Sequence, residues 1–94
     1  MGVISAMKHY VYIIQSDRDA RYYIGSTGDV ELRVQRHNEG WTKSTKCRIP
    51  WKLVYVEECE NKSNALKRER EIKRKKSREY IERLVKAGGR PVSK

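Results

Sequence analysis

Tyr10-Val11-Tyr12-Ile13-Ile14 is a block of β-branched and aromatic residues, and Tyr22-Tyr23-Ile24 renews that character after the polar Ser16-Asp17-Arg18-Asp19. Side chains of this kind suit a pleated, half-buried surface, so the two blocks predict a β-hairpin with strands over residues 10–15 and 21–26. Past Gly25, the break Thr27-Gly28-Asp29 supplies capping side chains, and Val30, Arg33, Val34 and His37 then recur at steps of three and four. That spacing predicts a helix over residues 29–38 whose sheet-facing side carries an arginine and a histidine beside two valines. Glu39-Gly40 reads as its stop, and residues 41–50 as a loop.

The pattern then repeats its change of period. Residues 51–59, WKLVYVEEC, predict a third strand beside the hairpin, with Pro50 just before it, where a missing backbone donor is tolerated. From Asn61, a plausible cap, to Lys76 the spacing is helical, with Ala65, Leu66, Glu69, Ile72 and Lys73 on one face. Ser77 caps a last helix over residues 78–87, whose stripe of Tyr80, Ile81, Leu84 and Val85 reads as structural and ends at Gly88-Gly89. The predicted fold is α/β: a small three-stranded sheet, made of an N-terminal hairpin plus a third strand, flanked by three helices.

Length and composition narrow this further. A chain of 94 residues, 37% hydrophobic, with two tryptophans and six tyrosines, supports one domain with a modest core, a short leader at residues 1–6 and a loose tail at 88–94. Lys and Arg number 22 against 12 Asp and Glu, a formal +10, which favours a polyanionic partner over a neutral metabolite. DNA is the first candidate and RNA the second; a basic surface serving only solubility is the plain alternative. Cys47 and Cys59 have eleven residues between them and no second pair, which suggests neither a zinc site nor a disulfide framework and fits a reducing cytoplasm. No apolar run approaches a membrane span.

Three features carry candidate chemistry. Glu69 sits among Ala65, Leu66 and Ile72, facing the sheet, where an unpaired charge is costly. Its partner is either one of the arginines or a divalent metal, for which a hard carboxylate oxygen is the expected ligand. Eight cations lie between Lys67 and Arg78 against two acids, a density that points to nucleic-acid contact through Lys67, Arg70, Lys73 and Arg74. Lys43, Lys46 and Arg48 in the 41–50 loop stand beside small hydroxyls, a composition that suits phosphate oxygens and equally suits an ordinary exposed loop. Nothing resembling helix-turn-helix spacing accompanies these cations, so backbone contact is favoured over base reading.

Tyr10-Val11-Tyr12, a spacer of ten residues, Tyr23-Ile24-Gly25, then Arg33 and His37 on the following helix resemble the GIY-YIG nuclease domain, in its small stand-alone bacterial members. The resemblance runs from about Tyr10 to Lys76, and Ala65-Leu66-x-x-Glu69 is similar to the family helix that bears a single metal-binding glutamate. The first triplet lacks the family's glycine; the second is intact. The resemblance implies a metal-dependent endonuclease, with DNA repair or recombination as its setting. Glu69 would hold one Mg²⁺ or Mn²⁺ acting as Lewis acid, and Arg33 would meet the phosphate with its fork of donors. Tyr12 is the first choice as general base or water-positioning group, with Tyr23 and His37 in support. A tyrosine titrates near 10 and a histidine near 6.5, so acidity favours His37 while the resemblance favours Tyr12. The alternative from another class is a nucleic-acid-binding module of the same fold that does not cut. A monomer is expected, with target choice left to a protein partner.

Overall fold

The computed structural model describes residues 8–87, so the expected leader at 1–6 and tail at 88–94 lie outside the described residues. Three strands, β1 (His9–Ser16), β2 (Tyr22–Thr27) and β3 (Trp51–Cys59), form one antiparallel sheet in the order β2-β1-β3. The third strand therefore pairs with β1 and leaves β1 in the centre. Val11, Tyr12, Ile13 and Ile14 are all buried, as expected of a strand covered on both faces, and their unbroken apolar run is the sequence sign of it.

Four helices accompany the sheet: α1 (Val30–Asn38), α2 (Lys43–Lys46), α3 (Lys62–Lys75) and α4 (Arg78–Lys86). The three longer ones begin at the side chains that the sequence marks as caps. Asp29 accepts from the Leu32 N–H, Asn61 from that of Asn64 and Ser77 from that of Tyr80, each satisfying a donor left over at a helix start. Residues 41–50 are not simply a loop, as they hold α2. Four residues are too few for a periodic signal, and the helix is held instead by its one buried side chain, Thr45.

The sheet separates two small cores. On one side Val11, Ala65 and Ile72 meet Ile24, Cys59, Tyr80, Ile81 and Leu84, so α3 and α4 close this face with mainly aliphatic groups and one tyrosine. On the other, Tyr12, Ile14 and Trp51 meet Tyr23, Val30, Val34 and Ile49 beneath α1. On α3 the expected apolar face is shifted: Leu66 is 39% exposed, while Arg68 is half-buried. Arg68 shares the Ala65 and Ile72 side of the helix, at steps of three and four, and its guanidinium lies 3.0 Å from Glu57 and 2.9 Å from Glu71. It belongs to a structural ion cluster rather than to the outer cationic ridge.

Candidate active site

Pairing places Tyr12 of β1 opposite Gly25 of β2, and the missing side chain at Gly25 is what lets the phenol ring lie across the strand. A Cβ at position 25 would stand 2.6 Å from the Tyr12 hydroxyl, inside van der Waals contact. The hydroxyl reaches His37 on α1, 2.9 Å from Nε2. Tyr23 packs its ring edge-on to His37, with centroids 4.9 Å apart, and lies 6.4 Å from Tyr12. Arg33, one turn before His37 on the same helix face, is close enough to act on both groups electrostatically. Tyr12, Tyr23, Arg33 and His37 thus converge on one side of the sheet.

The histidine's tautomer follows from its second contact. His37 Nδ1 lies 2.9 Å from the Thr45 hydroxyl, and that hydroxyl donates to the carbonyl of Thr42 at 3.3 Å. With that hydroxyl's one proton given to the Thr42 carbonyl, Thr45 accepts from Nδ1–H, and Nε2 is then the acceptor of the Tyr12 hydroxyl proton. Burial first, then Arg33, lowers the His37 pKa, so the imidazole is neutral at physiological pH. Burial and then Tyr23 push the Tyr12 phenol well above the ordinary tyrosine range, against the downward pull of Arg33. At rest the pair is neutral and linked by one proton.

Glu69 approaches from the other side of the β2 edge. Its side chain is 17% exposed, with Oε1 accepting from the Ser26 hydroxyl at 2.8 Å and Oε2 from Lys73 Nζ at 2.8 Å. The arginine expected as its structural partner is absent from these contacts; a lysine and a serine take that place. Glu69 is near enough for its charge to raise the Tyr12 pKa. No cluster of three or more His, Cys, Asp or Glu side chains is placed to hold a metal among the described residues. Glu69 therefore offers a single carboxylate, whose two oxygens are engaged by Ser26 and Lys73.

The cations divide into held and open groups. Arg48 pairs with Asp19 at 2.9 Å and Lys73 with Glu69. Lys67, Arg70 and Arg74 are exposed on α3 at steps of three and four, a ridge on the outer face of the helix away from Glu69, and Lys43 and Lys46 are exposed on either side of buried Thr45. Sequence reasoning missed Thr45, Ser26 and the steric part played by Gly25. The intact Tyr23-Ile24-Gly25 triplet was the available sign for the last; for the two hydroxyls the only sign was a small polar residue in an otherwise well-defined element.

A tyrosine bound to a histidine across a glycine gap, with an arginine on the same helix and a glutamate on a later one, sets the chain in a nuclease domain class. It belongs to the GIY-YIG family, whose catalytic-domain model matches residues 8–82. Among its relatives are the UPF0213 protein SSP2268 of Staphylococcus saprophyticus and the UPF0213 protein SA0446 of Staphylococcus aureus. The first is 49% identical over 67 residues, 70% of this chain and 80% of that protein; the second is 52% identical over 66 residues, 69% and 79%. The solution NMR structure of the UPF0213 protein BH0048 from Bacillus halodurans is similar, with 38% identity, a TM-score of 0.57 and coverage of 88% of this chain and 87% of that one.

Proposed function

We propose that this protein is a Mg²⁺- or Mn²⁺-dependent endonuclease that hydrolyses phosphodiester bonds, with DNA as its first substrate. The observation that carries the reading is the Tyr12–His37 hydrogen bond of 2.9 Å, built on a bare Nε2 lone pair and walled by Tyr23. A hydrolase must remove a proton from the attacking water, and a neutral imidazole linked to a phenol provides an acceptor for it. The Tyr12 oxygen receives the water's proton as its own hydroxyl proton passes to Nε2; Thr45 fixes the imidazole for the transfer. This relay gives tyrosine and histidine one role in series. The phenol need never ionise in the resting enzyme, which its raised pKa would oppose.

Arg33 binds the phosphate with its planar fork and stabilises charge as it develops. Glu69 would hold the ion, at a carboxylate whose Oε2 now accepts from Lys73. The ion, when bound, supplies Lewis-acid neutralisation of charge on the phosphate and the leaving oxygen. Ser26 holds the other carboxylate oxygen in place. Lys67, Arg70 and Arg74 contribute sequence-independent attraction to the backbone.

A second reading, binding without cleavage, is favoured by one observation: both Glu69 oxygens already have protein partners. The two readings separate in a cleavage assay on supercoiled plasmid, branched DNA and single strands, with and without Mg²⁺ or Mn²⁺. The proposal expects cutting of at least one substrate, only with the ion. Retained binding with no cutting under any of these conditions would overturn it in favour of the second.

A further inference from the structure

Trp41 is 66% exposed, against 41% or less for the other exposed large apolar side chains among the described residues. An indole left that open gains little from burial, so covering the end of α1 does not account for it. It is nevertheless firmly held. Its backbone N–H donates to the Arg36 carbonyl at 3.1 Å, its Nε1–H donates to Glu39 at 3.0 Å, and the Arg36 guanidinium lies over the ring at 4.6 Å from the centroid. Gly40, at φ +84°, takes the left-handed turn that brings the chain back over the helix end. An exposed aromatic ring with a fixed orientation and a cation on it is a surface prepared for stacking.

Its position ties it to the catalytic face. Arg36 follows Arg33 by three residues, so their side chains are neighbours on α1, and Arg36 is the side chain that lies over the ring. Lys43 and Lys46 are exposed on α2, whose Thr45 holds His37. The arrangement of a fixed ring, one cation on it and two beyond it complements a strand that alternates flat bases with phosphates.

We infer that Trp41 is a stacking platform for an unpaired base of the nucleic acid, with Arg36, Lys43 and Lys46 on the flanking phosphates. The inference rests on the reading of the chain as a protein acting on nucleic acid and adds a preference: the substrate has unpaired nucleotides next to the cut. Bases inside a duplex cannot offer a face to the ring.

The test is binding without divalent ions, so that cutting plays no part. A short single-stranded oligodeoxynucleotide and a blunt duplex of the same sequence are titrated, read by fluorescence anisotropy of a labelled strand and by tryptophan emission. Trp51 is buried and serves as an unchanging background. The single strand should quench the exposed component. Trp41→Ala should weaken single-strand binding by about 5- to 100-fold and leave duplex binding unchanged. Trp41→Phe should keep single-strand affinity within a few-fold while losing the quench. If Trp41→Ala binds the single strand as the wild type does, with a lowered melting temperature or without one, the platform is overturned and the nuclease proposal stands. If the wild type binds neither oligonucleotide, both fall.

Discussion

The two faces of the sheet are built from different materials. Under α3 and α4 the core is Val11, Ala65 and Ile72 with Ile24, Ile81, Leu84, Cys59 and Tyr80 around it, and the half-buried Arg68 at its margin is neutralised by two glutamates. Under α1 and α2 the core sets Tyr12, Tyr23 and Trp51 among aliphatic residues and carries a buried histidine, threonine and tyrosine in a continuous hydrogen-bonded row. Both faces contain a buried phenol. Tyr55, on β3, donates to Glu57 at 2.6 Å, and burial and that carboxylate push its pKa up to about 12. Tyr12 donates to a neutral imidazole with an arginine nearby. Burial raises both phenols, but a carboxylate takes up a proton only in the acid range, whereas a neutral imidazole nitrogen accepts one nearer neutrality, so the Tyr12 proton has the better acceptor. The difference lies in the partner, and it separates support from chemistry within one small domain.

The contrast is broken most severely at Tyr12. Tyr12→Phe should lower cleavage by about 10²- to 10⁴-fold, the usual scale of a general acid–base contribution. It should also cost about 1–3 kcal/mol, because Nε2 becomes a buried acceptor without a donor. Next is Gly25→Ala, where the new Cβ drives the Tyr12 hydroxyl away from His37. Cleavage should fall about 100-fold from misplacement alone, with about 1–3 kcal/mol of overpacking strain. Steady-state rates and thermal melts of the two variants check both.

Much of the frame was legible because its signals are local. The strands follow from β-branched and aromatic runs, and Asp29, Asn61 and Ser77 mark helix starts by a contact only three residues long. The tyrosines, Arg33, His37 and Glu69 were singled out by spacing and family resemblance, and the fold brings the first four onto one face. What stayed hidden depends on distance in the chain. Ser26 meets Glu69 across 43 positions, and Thr45 meets His37 through a helix too short to announce itself. Arg68 could have been read: it shares the helix face of Ala65 and Ile72, but the density of neighbouring cations hid that spacing.

A smaller effect should appear with pH. His37 acts only when neutral, and its pKa is lowered below the usual 6.5 by burial and then by Arg33. Cleavage should be flat near neutrality and fall about tenfold per pH unit once the pH drops below the lowered value. Stability changes in the same direction, since the unfolded chain binds the proton first. The contribution of neutral His37 is complete above about pH 6.5 and is lost progressively as the pH falls from there to the lowered folded value. A rate profile and melts between pH 4.5 and about 8 test this, and His37→Gln should flatten the acid limb.

The smallest effect on chemistry belongs to the aliphatic face. Ile72→Ala should destabilise by about 2–5 kcal/mol, yet cleavage per folded molecule should be unchanged. A rate loss beyond the folded fraction would mean that the two faces are coupled more closely than their separate cores suggest.

The most direct test of the metal-dependent nuclease is Glu69→Gln, assayed beside the wild type for plasmid cleavage with Mg²⁺ or Mn²⁺, for DNA binding and for melting temperature. The substitution keeps the side-chain shape and removes the charge that attracts the ion. Of its two protein partners, Ser26 can still donate to the amide oxygen and Lys73 is half exposed, a kind of pairing worth about 0–1 kcal/mol, so melting should barely move. Binding through Lys67, Arg70 and Arg74 should persist while cleavage falls by orders of magnitude. Wild-type cleavage by the Glu69→Gln protein would contradict the account.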